Sequence, residues 1–272
     1  MSMTINQNSN AIVKSLSTAT SQNDTAMKRL SSGQRVNSSK DDAAGLAIAT
    51  RMQSKLQGMS VAQRNAGDAL SMAETADSAL GQASDIMTRM RELSTQAANA
   101  TNGSSDNAAL DKEYQELGKE LTRTLGSADF NGKKILAGDA GTLSFVVGSD
   151  SSDTIDVVTT NMSTNADITA VTGGDLTSAA NAKTAMDDLK TALDTVTTER
   201  AMYGAVQSRF DSVVSGLQSQ TDSLSTARSR IMDADYAVES ANLQKSQTLQ
   251  QAATAMLSQA NAKPQQVLSL LR

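Results

Sequence analysis

Small and apolar residues recur every three or four positions from Ile48 to Ala97, and no proline interrupts the run. They fall at Ile48, Met52, Leu56, Met59, Ala62, Ala66, Leu70, Ala73, Ala76, Leu80, Ala83, Met87, Met90, Leu93 and Ala97. The mean step is about 3.5 residues, the spacing of a coiled-coil seam. At the helical rise per residue the stretch spans roughly 75 Å, too long for the inside of one compact domain. A rod with a single apolar stripe needs partners along its whole length.

A second run supplies one. From Ala182 onward, Leu189, Leu193, Val196, Arg200, Tyr203, Val206, Phe210, Val213, Leu217, Gln220, Leu224, Ala227 and Ile231 keep the same spacing and stop at Asp233-Ala234-Asp235. Between the rods, Leu110, Tyr114, Leu117, Leu121 and Leu125 predict a helix that folds back after the turn-rich NATNGSSDN. Phe130-Asn131-Gly132 ends it in a turn. Leu143/Phe145/Val147 and Ile155/Val157 alternate around GSDSSD, which predicts a β-hairpin. Met162 to about Thr177 is polar, contains Gly173-Gly174, and reads as a surface loop.

The two ends are thinner. Ile5, Ile12, Ala19 and Ala26 repeat every heptad with Leu16 and Leu30 at the alternate seam positions, while Ser9 and Asn23 take other seam places. A helix with so sparse a stripe is marginal alone in water. Ser31-Ser32-Gly33 punctuates it, and Ser39 followed by Asp42 reads as a capping box for the rod. The C-terminal end carries Leu243, Leu249, Ala253, Met256, Leu257, Ala260, Val267, Leu268 and Leu271, with Pro264 expected to bend or open the helix. Each thin end needs the other. The expected fold is mainly α: long antiparallel helical rods and paired terminal coiled-coil helices, with a small β-hairpin region mid-chain.

Composition narrows the function. Aromatics are 2% of the chain and Trp is absent, so Ala, Leu and Met must build the interior, which suits close helix contacts. There is no Cys and no His, which removes thiolate chemistry, the usual general base and the commonest metal ligand. Asp41-Asp42 and Asp111 with Glu113 and Glu116 are the acidic clusters, and without His or a Gly-rich phosphate loop they predict no catalytic residues, no metal site and no cofactor. The net charge of −5 argues against nucleic acid. No apolar run is long enough for membrane insertion. The start, MSMTINQNSNAIVKS, lacks the apolar stretch of a secretory signal, which taken alone indicates the cytoplasm.

Specific words in both arms resemble bacterial flagellins. They are RLSSGQRVNSSKDDAAGLAIA from Arg29 to Ala49, then Gln63-Arg64-Asn65-Ala66, Arg89-Met90-Arg91-Glu92-Leu93 and Phe130-Asn131-Gly132. On the C-terminal side they are Gly204-Ala205-Val206-Gln207-Ser208-Arg209, ARSRIMDADYAVESANL from Ala227 to Leu243, and the final QANAKPQQVLSLLR. Ser208 departs from the Asn common in the family, and the middle is short where larger flagellins insert variable outer domains.

The resemblance implies a structural subunit that self-assembles into the flagellar filament. Residues 1–40 and 233–272 would be paired inner-core helices. Residues 41–160 and 181–232 would form the two halves of an outer-tube domain, with 161–180 a short variable loop. The apolar positions Ile5, Ile12, Leu16, Leu30, Leu249, Ala253, Met256, Leu257, Ala260, Val267, Leu268 and Leu271 would be assembly stripes, ordered when neighbours cover them. Implied partners are further copies of the chain, the flagellar export chaperone at the C-terminal helix, and the filament cap and hook-junction proteins. Export would be by the dedicated flagellar route to the extracellular filament. Arg89, Leu93 and Glu113 match positions used by the animal flagellin-sensing Toll-like receptor; read plainly, they are two ordinary charges and a core leucine. The crossing charges Arg29, Arg35, Lys40, Asp41 and Asp42 face Arg228, Arg230, Asp233 and Asp235 and are expected either to pair or to remain solvated. The alternatives are a hook–filament junction protein of the same export family and a soluble helical-bundle binding module.

Overall fold

The computed structural model describes the backbone of residues 5–139 and 141–270, and the side chains of 10–139 and 141–262. Its contacts divide the chain into two units, Met1–Lys55 with Asp222–Arg272, and Leu56–Thr221. The sequence-based division near residues 40 and 232 concerns roles in an assembly, which this contact boundary does not address. Of the expected stripe positions, the side chains of Ile5, Val267 and Leu268, and the whole of Leu271, lie outside the described residues.

In the first unit, α1 (Ile5–Ser32) packs on α6 (Tyr236–Leu270). The pair is antiparallel, since Arg29 meets Glu239 while Gln34 bridges to Asp233, earlier in the chain. Gly33, at φ +69, ends α1 in the left-handed region where a side chain is disfavoured. The chain then crosses beside the return strand: Ala234 N–H donates to Gly33 O, and Arg35 N–H to Met232 O. Val36, Ala49 and Met232 close a small core there, with Leu46 and Ile231 packed against it. The rod's first stripe residue, Ile48, is exposed; its neighbour Ala49 takes the buried place.

The expected capping box is replaced by a simpler device. α2 (Ala43–Ala97) begins one residue after Asp42, whose Oδ1 accepts the Gly45 N–H at 2.8 Å. Asp42 is therefore the N-cap itself rather than the third residue of a box begun by Ser39. Asp41 closes the preceding turn, its Oδ2 accepting from the N–H groups of Asn37 and Ser38 and from Ser38 Oγ. These three hydrogen bonds hold its carboxyl below the usual range, the Ser38 hydroxyl most strongly.

In the second unit α2 runs antiparallel to α5 (Ala179–Met232), as Gln63 bonded to Gln218 and Asp77 to Arg200 require. α3 (Ser104–Ser127) folds back on α2, its start held by Asp106, which accepts the Gly103 N–H. The core is one continuous cluster from all three helices, including Met87, Met90, Tyr114, Leu121, Leu189, Tyr203 and Phe210. The stripe positions from Met59 to Ala97 are buried, Leu70 partly so. Ala69 and Met72 are buried as well, so the face is wider than a two-helix seam. Arg200 stands at a stripe position but turns outward to Asp77.

Strands β1 (Asp129–Phe130) and β2 (Lys133–Lys134) make a tight hairpin over Asn131 and Gly132, both at positive φ (51 and 80), the geometry of a two-residue type I′ turn. β3 (Thr142–Val146) and β4 (Thr154–Val158) form the expected second hairpin, with Phe145 opposite Ile155. It is fixed to α2 by Asn65 Nδ2 donating to Val146 O, and to α5 by an edge-on Phe145–Phe210 contact at 5.7 Å between ring centres. Gly58 permits the approach: a Cβ there would lie 3.3 Å from the Ser149 Cα.

The region read as a polar surface loop, Met162 to Thr177 within 161–180, is instead partly helical and partly core. α4 (Ala166–Gly173) starts at Asn165, whose side chain accepts the Asp167 N–H, and it buries Ile168 and Val171. Met162 and Leu176 are buried on either side. Few apolar residues in a polar string suffice because each lands inward. α6 remains helical past Pro264, as far as Leu270.

Candidate functional site

The α1–α6 seam joins two faces with 3–4 spacing. On α1, Ala19, Asn23 and Ala26 are buried, and Ile12, Leu16 and Leu30 are half-buried. On α6 the inward positions are Glu239, Leu243, Ser246, Gln250, Ala253, Leu257 and Ala260. Of the expected assembly stripe, Ala253, Leu257 and Ala260 face α1, whereas Leu249 and Met256 point away from it. Stepping back by sevens from Ala253 reaches Ser246 and Glu239, two polar residues, so the line of α6 that meets α1 is not apolar throughout. On α1, Val13 and Met27 also face outward. Val13 and Met27 are two heptads apart with Thr20 midway, and Leu249 and Met256 are one heptad apart, so each helix of the pair presents two uncovered apolar residues in one line.

A polar lock sits at the inner seam. Arg29 Nη1 donates to Glu239 Oε1 at 3.0 Å, and Asn242 Nδ2 donates to the other carboxylate oxygen at 3.1 Å. Sequence reasoning placed Arg29 among the crossing charges and overlooked Glu239. Of the other crossing charges, Arg35, Asp41, Asp42 and Asp235 bond backbone groups rather than one another. Arg35 Nη2 donates to Ile231 O at 2.8 Å, Asp235 caps α6 through the N–H groups of Ala237 and Val238, and Asp233 accepts from Ser229 Oγ.

In the second unit the fold-back brings Arg89 and Glu113 together. Arg89 donates from Nε and Nη2 to Glu113 Oε1 at 3.1 and 2.9 Å, and from Nη1 to Glu92 Oε2 at 2.9 Å. The Glu113 contact is the largest cause of the raised guanidinium pKa, followed by Glu92. Both members of the Arg89–Glu113 pair are exposed, whereas Leu93, one turn after Arg89, is buried at 2% exposure. The three positions therefore divide into an exposed charge pair and a core leucine.

The acidic clusters have structural partners. Besides the caps at Asp41 and Asp42, Asp111 Oδ1 accepts the Leu176 N–H at 2.8 Å and Glu116 pairs with Lys119. No helix among the described residues is long and apolar enough to cross a membrane.

Known proteins match this arrangement. The family described as bacterial flagellin N-terminal helical region matches residues 4–141, and the bacterial flagellin C-terminal helical region matches residues 186–271. A flagellin of Halalkalibacterium halodurans is 40% identical over 247 residues, covering 91% of each chain. The crystal structure of Bacillus cereus flagellin aligns at a TM-score of 0.52 and 34% identity, covering 61% of this chain and 94% of that one. A flagellar hook-associated protein of Vibrio parahaemolyticus aligns at 0.59 over 71% of this chain, but at 12% identity the likeness is one of fold. Both arms match by sequence, and the rods, fold-back helix and terminal pair they encode are in place: the chain belongs to the bacterial flagellins, structural subunits of the flagellar filament.

Proposed function

We propose that the chain polymerises through its α1–α6 pair, neighbouring copies covering the apolar side chains that the pair leaves outside. The observation carrying this reading is the exposure of Val13, Met27, Leu249 and Met256 on helices already joined along another face. Isolated apolar residues on a surface are ordinary, but heptad-spaced ones on both members of a helix pair offer further helices a seam. Contacts of this kind are heterologous and propagate into an open helical polymer.

The same C-terminal helix, bearing Leu249 and Met256, is the segment a flagellar export chaperone would cover before export to the extracellular filament. Cap and hook-junction proteins would meet the polymer at its two ends. On the second unit, the exposed Arg89–Glu113 pair is the part of the receptor surface open to a host Toll-like receptor, with Leu93 supporting it from below.

Seeded growth tests the polymer. Purified protein mixed with short filament seeds or ammonium sulfate should give long uniform tubes in negative-stain electron microscopy. Removing residues 1–30 or 243–272 should abolish growth while the second unit stays folded by circular dichroism. Filaments from either trimmed chain would overturn the paired-end mechanism.

A further inference from the structure

With no Cys in the chain, its 13 methionines carry the most readily oxidised atoms. Their thioethers are unequally placed. Met59, Met72, Met87, Met90, Met162 and Met232 are buried, and Met52, Met186 and Met202 are half-buried. Among the described side chains, the two exposed methionines are Met27 at 55% and Met256 at 61%. Both belong to the uncovered apolar lines of the α1–α6 pair, Met27 two heptads after Val13 and Met256 one heptad after Leu249. Among the described side chains, oxidant therefore reaches sulfur first on the surface that a neighbouring subunit would cover.

We infer that Met27 and Met256 form a modification site for hydroperoxides, and that their oxidation in the free subunit blocks its addition to a filament. The inference rests on the polymerisation reading above. In the step itself a sulfur lone pair attacks one oxygen of hydrogen peroxide. The S–O bond forms as the O–O bond breaks, and the departing hydroxide takes the proton of the transferred oxygen and leaves as water. Sulfur loses two electrons and the peroxide gains them, so hydrogen peroxide is the only co-reactant.

The product changes the surface in kind. A thioether is flexible and apolar, and it fills irregular gaps in a helix seam. A sulfoxide oxygen is a strong acceptor that must be hydrogen-bonded when buried. Val, Leu and Met side chains carry no donor for it, and Thr20, midway between Val13 and Met27, already donates its hydroxyl to Leu16 O at 3.0 Å. Addition of an oxidised subunit is penalised, while a subunit already in place has both sulfurs shielded by its neighbours. Oxidation thus acts on subunits awaiting assembly rather than on finished filament.

The experiment treats full-length monomer with hydrogen peroxide, maps sulfoxides by peptide mass spectrometry, and then measures elongation from unoxidised seeds. Met27 and Met256 should be modified before the buried methionines, and elongation should slow by at least about tenfold, as expected for burying an unpaired polar oxygen. Peroxide treatment should leave the M27L/M256L chain at its own untreated elongation rate, whatever that rate is. Methionine sulfoxide reductase should restore the wild-type rate, an arm that decides the matter even if the double variant assembles poorly. Elongation unchanged with both sites oxidised, equal peroxide sensitivity of M27L/M256L, or no recovery after verified reduction would overturn the inference. Failure of the untreated monomer to elongate would instead overturn the polymerisation reading.

Discussion

Arg29 on α1 and Glu239 on α6 form an ion pair at 3.0 Å across the terminal seam, with Glu239 only 8% exposed and Arg29 31% exposed. Removing Arg29 leaves a buried carboxylate with Asn242 as its remaining side-chain donor. Full burial of both charges would make that cost about 3–5 kcal/mol, and the partial exposure of Arg29 reduces it to about 1–3. Arg29→Ala should therefore loosen the α1–α6 pair, read as helix lost at lower urea. Arg29→Met combined with Glu239→Leu should recover most of that loss, because no charge is then stranded.

Tyr114 is fully buried on α3, and its hydroxyl donates to Val171 O of α4 at 2.9 Å. Desolvation is the main reason its pKa is pushed up, so it remains a neutral donor across the working pH range. The Val171 carbonyl also accepts the Gly174 N–H, at 3.3 Å, and is not orphaned when the hydroxyl goes. Tyr114→Phe should consequently cost only about 0.5–1.5 kcal/mol in urea denaturation. The loss should appear as faster hydrogen exchange around α4.

Asp175 fastens the entry to α5. Its Oδ1 accepts from Thr177 Oγ1, from Asn181 Nδ2 and from the Thr177 N–H. These bonds, the Thr177 hydroxyl first, lower its pKa from the ordinary aspartate value. A depressed folded-state pKa contributes stability that is present above the unfolded value, about 3.9, and is lost as pH falls through the lower folded value. Hydrogen exchange at the Thr177 and Asn181 amides should therefore accelerate below about pH 4, beyond the intrinsic trend. Asp175→Asn should remove that extra dependence.

Arg89 and Leu93 separate contact from support. Arg89→Ala and Glu113→Ala should reduce activation of receptor-bearing cells by purified monomer while leaving the fold intact, since exposed pairs contribute about 0–1 kcal/mol. Leu93→Ala should lower stability by about 2–5 kcal/mol through the cavity it leaves. Full activity of Arg89→Ala monomer would remove the receptor reading.

The strongest periodic signals translated directly into structure. Fifteen small or apolar positions from Ile48 to Ala97 needed a long helix, and all but the first few are buried or nearly so. The Asn131-Gly132 pair demanded a tight turn because both residues sit at positive φ. Other features depended on which neighbour arrived. Ile168, Val171 and Leu176 lie among Asp, Thr and Gly with no clean period, so their burial against the second-unit core left little trace in the pattern. On α6, Leu249 and Met256 have the chemistry of inward residues, yet the register that joins α1 carries Glu239 and Ser246 at two inward places.

By itself, then, the sequence determined the element types, the helical rods and the requirement that the two ends find each other, because hydrophobic period and turn residues act locally. The tertiary structure alone decided which line of each terminal helix faces its partner. It also decided that Asp42 caps rather than completes a box, and that Arg89 is exposed while Leu93 is buried. Those choices depend on what lies across a seam, and a single chain read in order cannot weigh one helix face against another until both are in place.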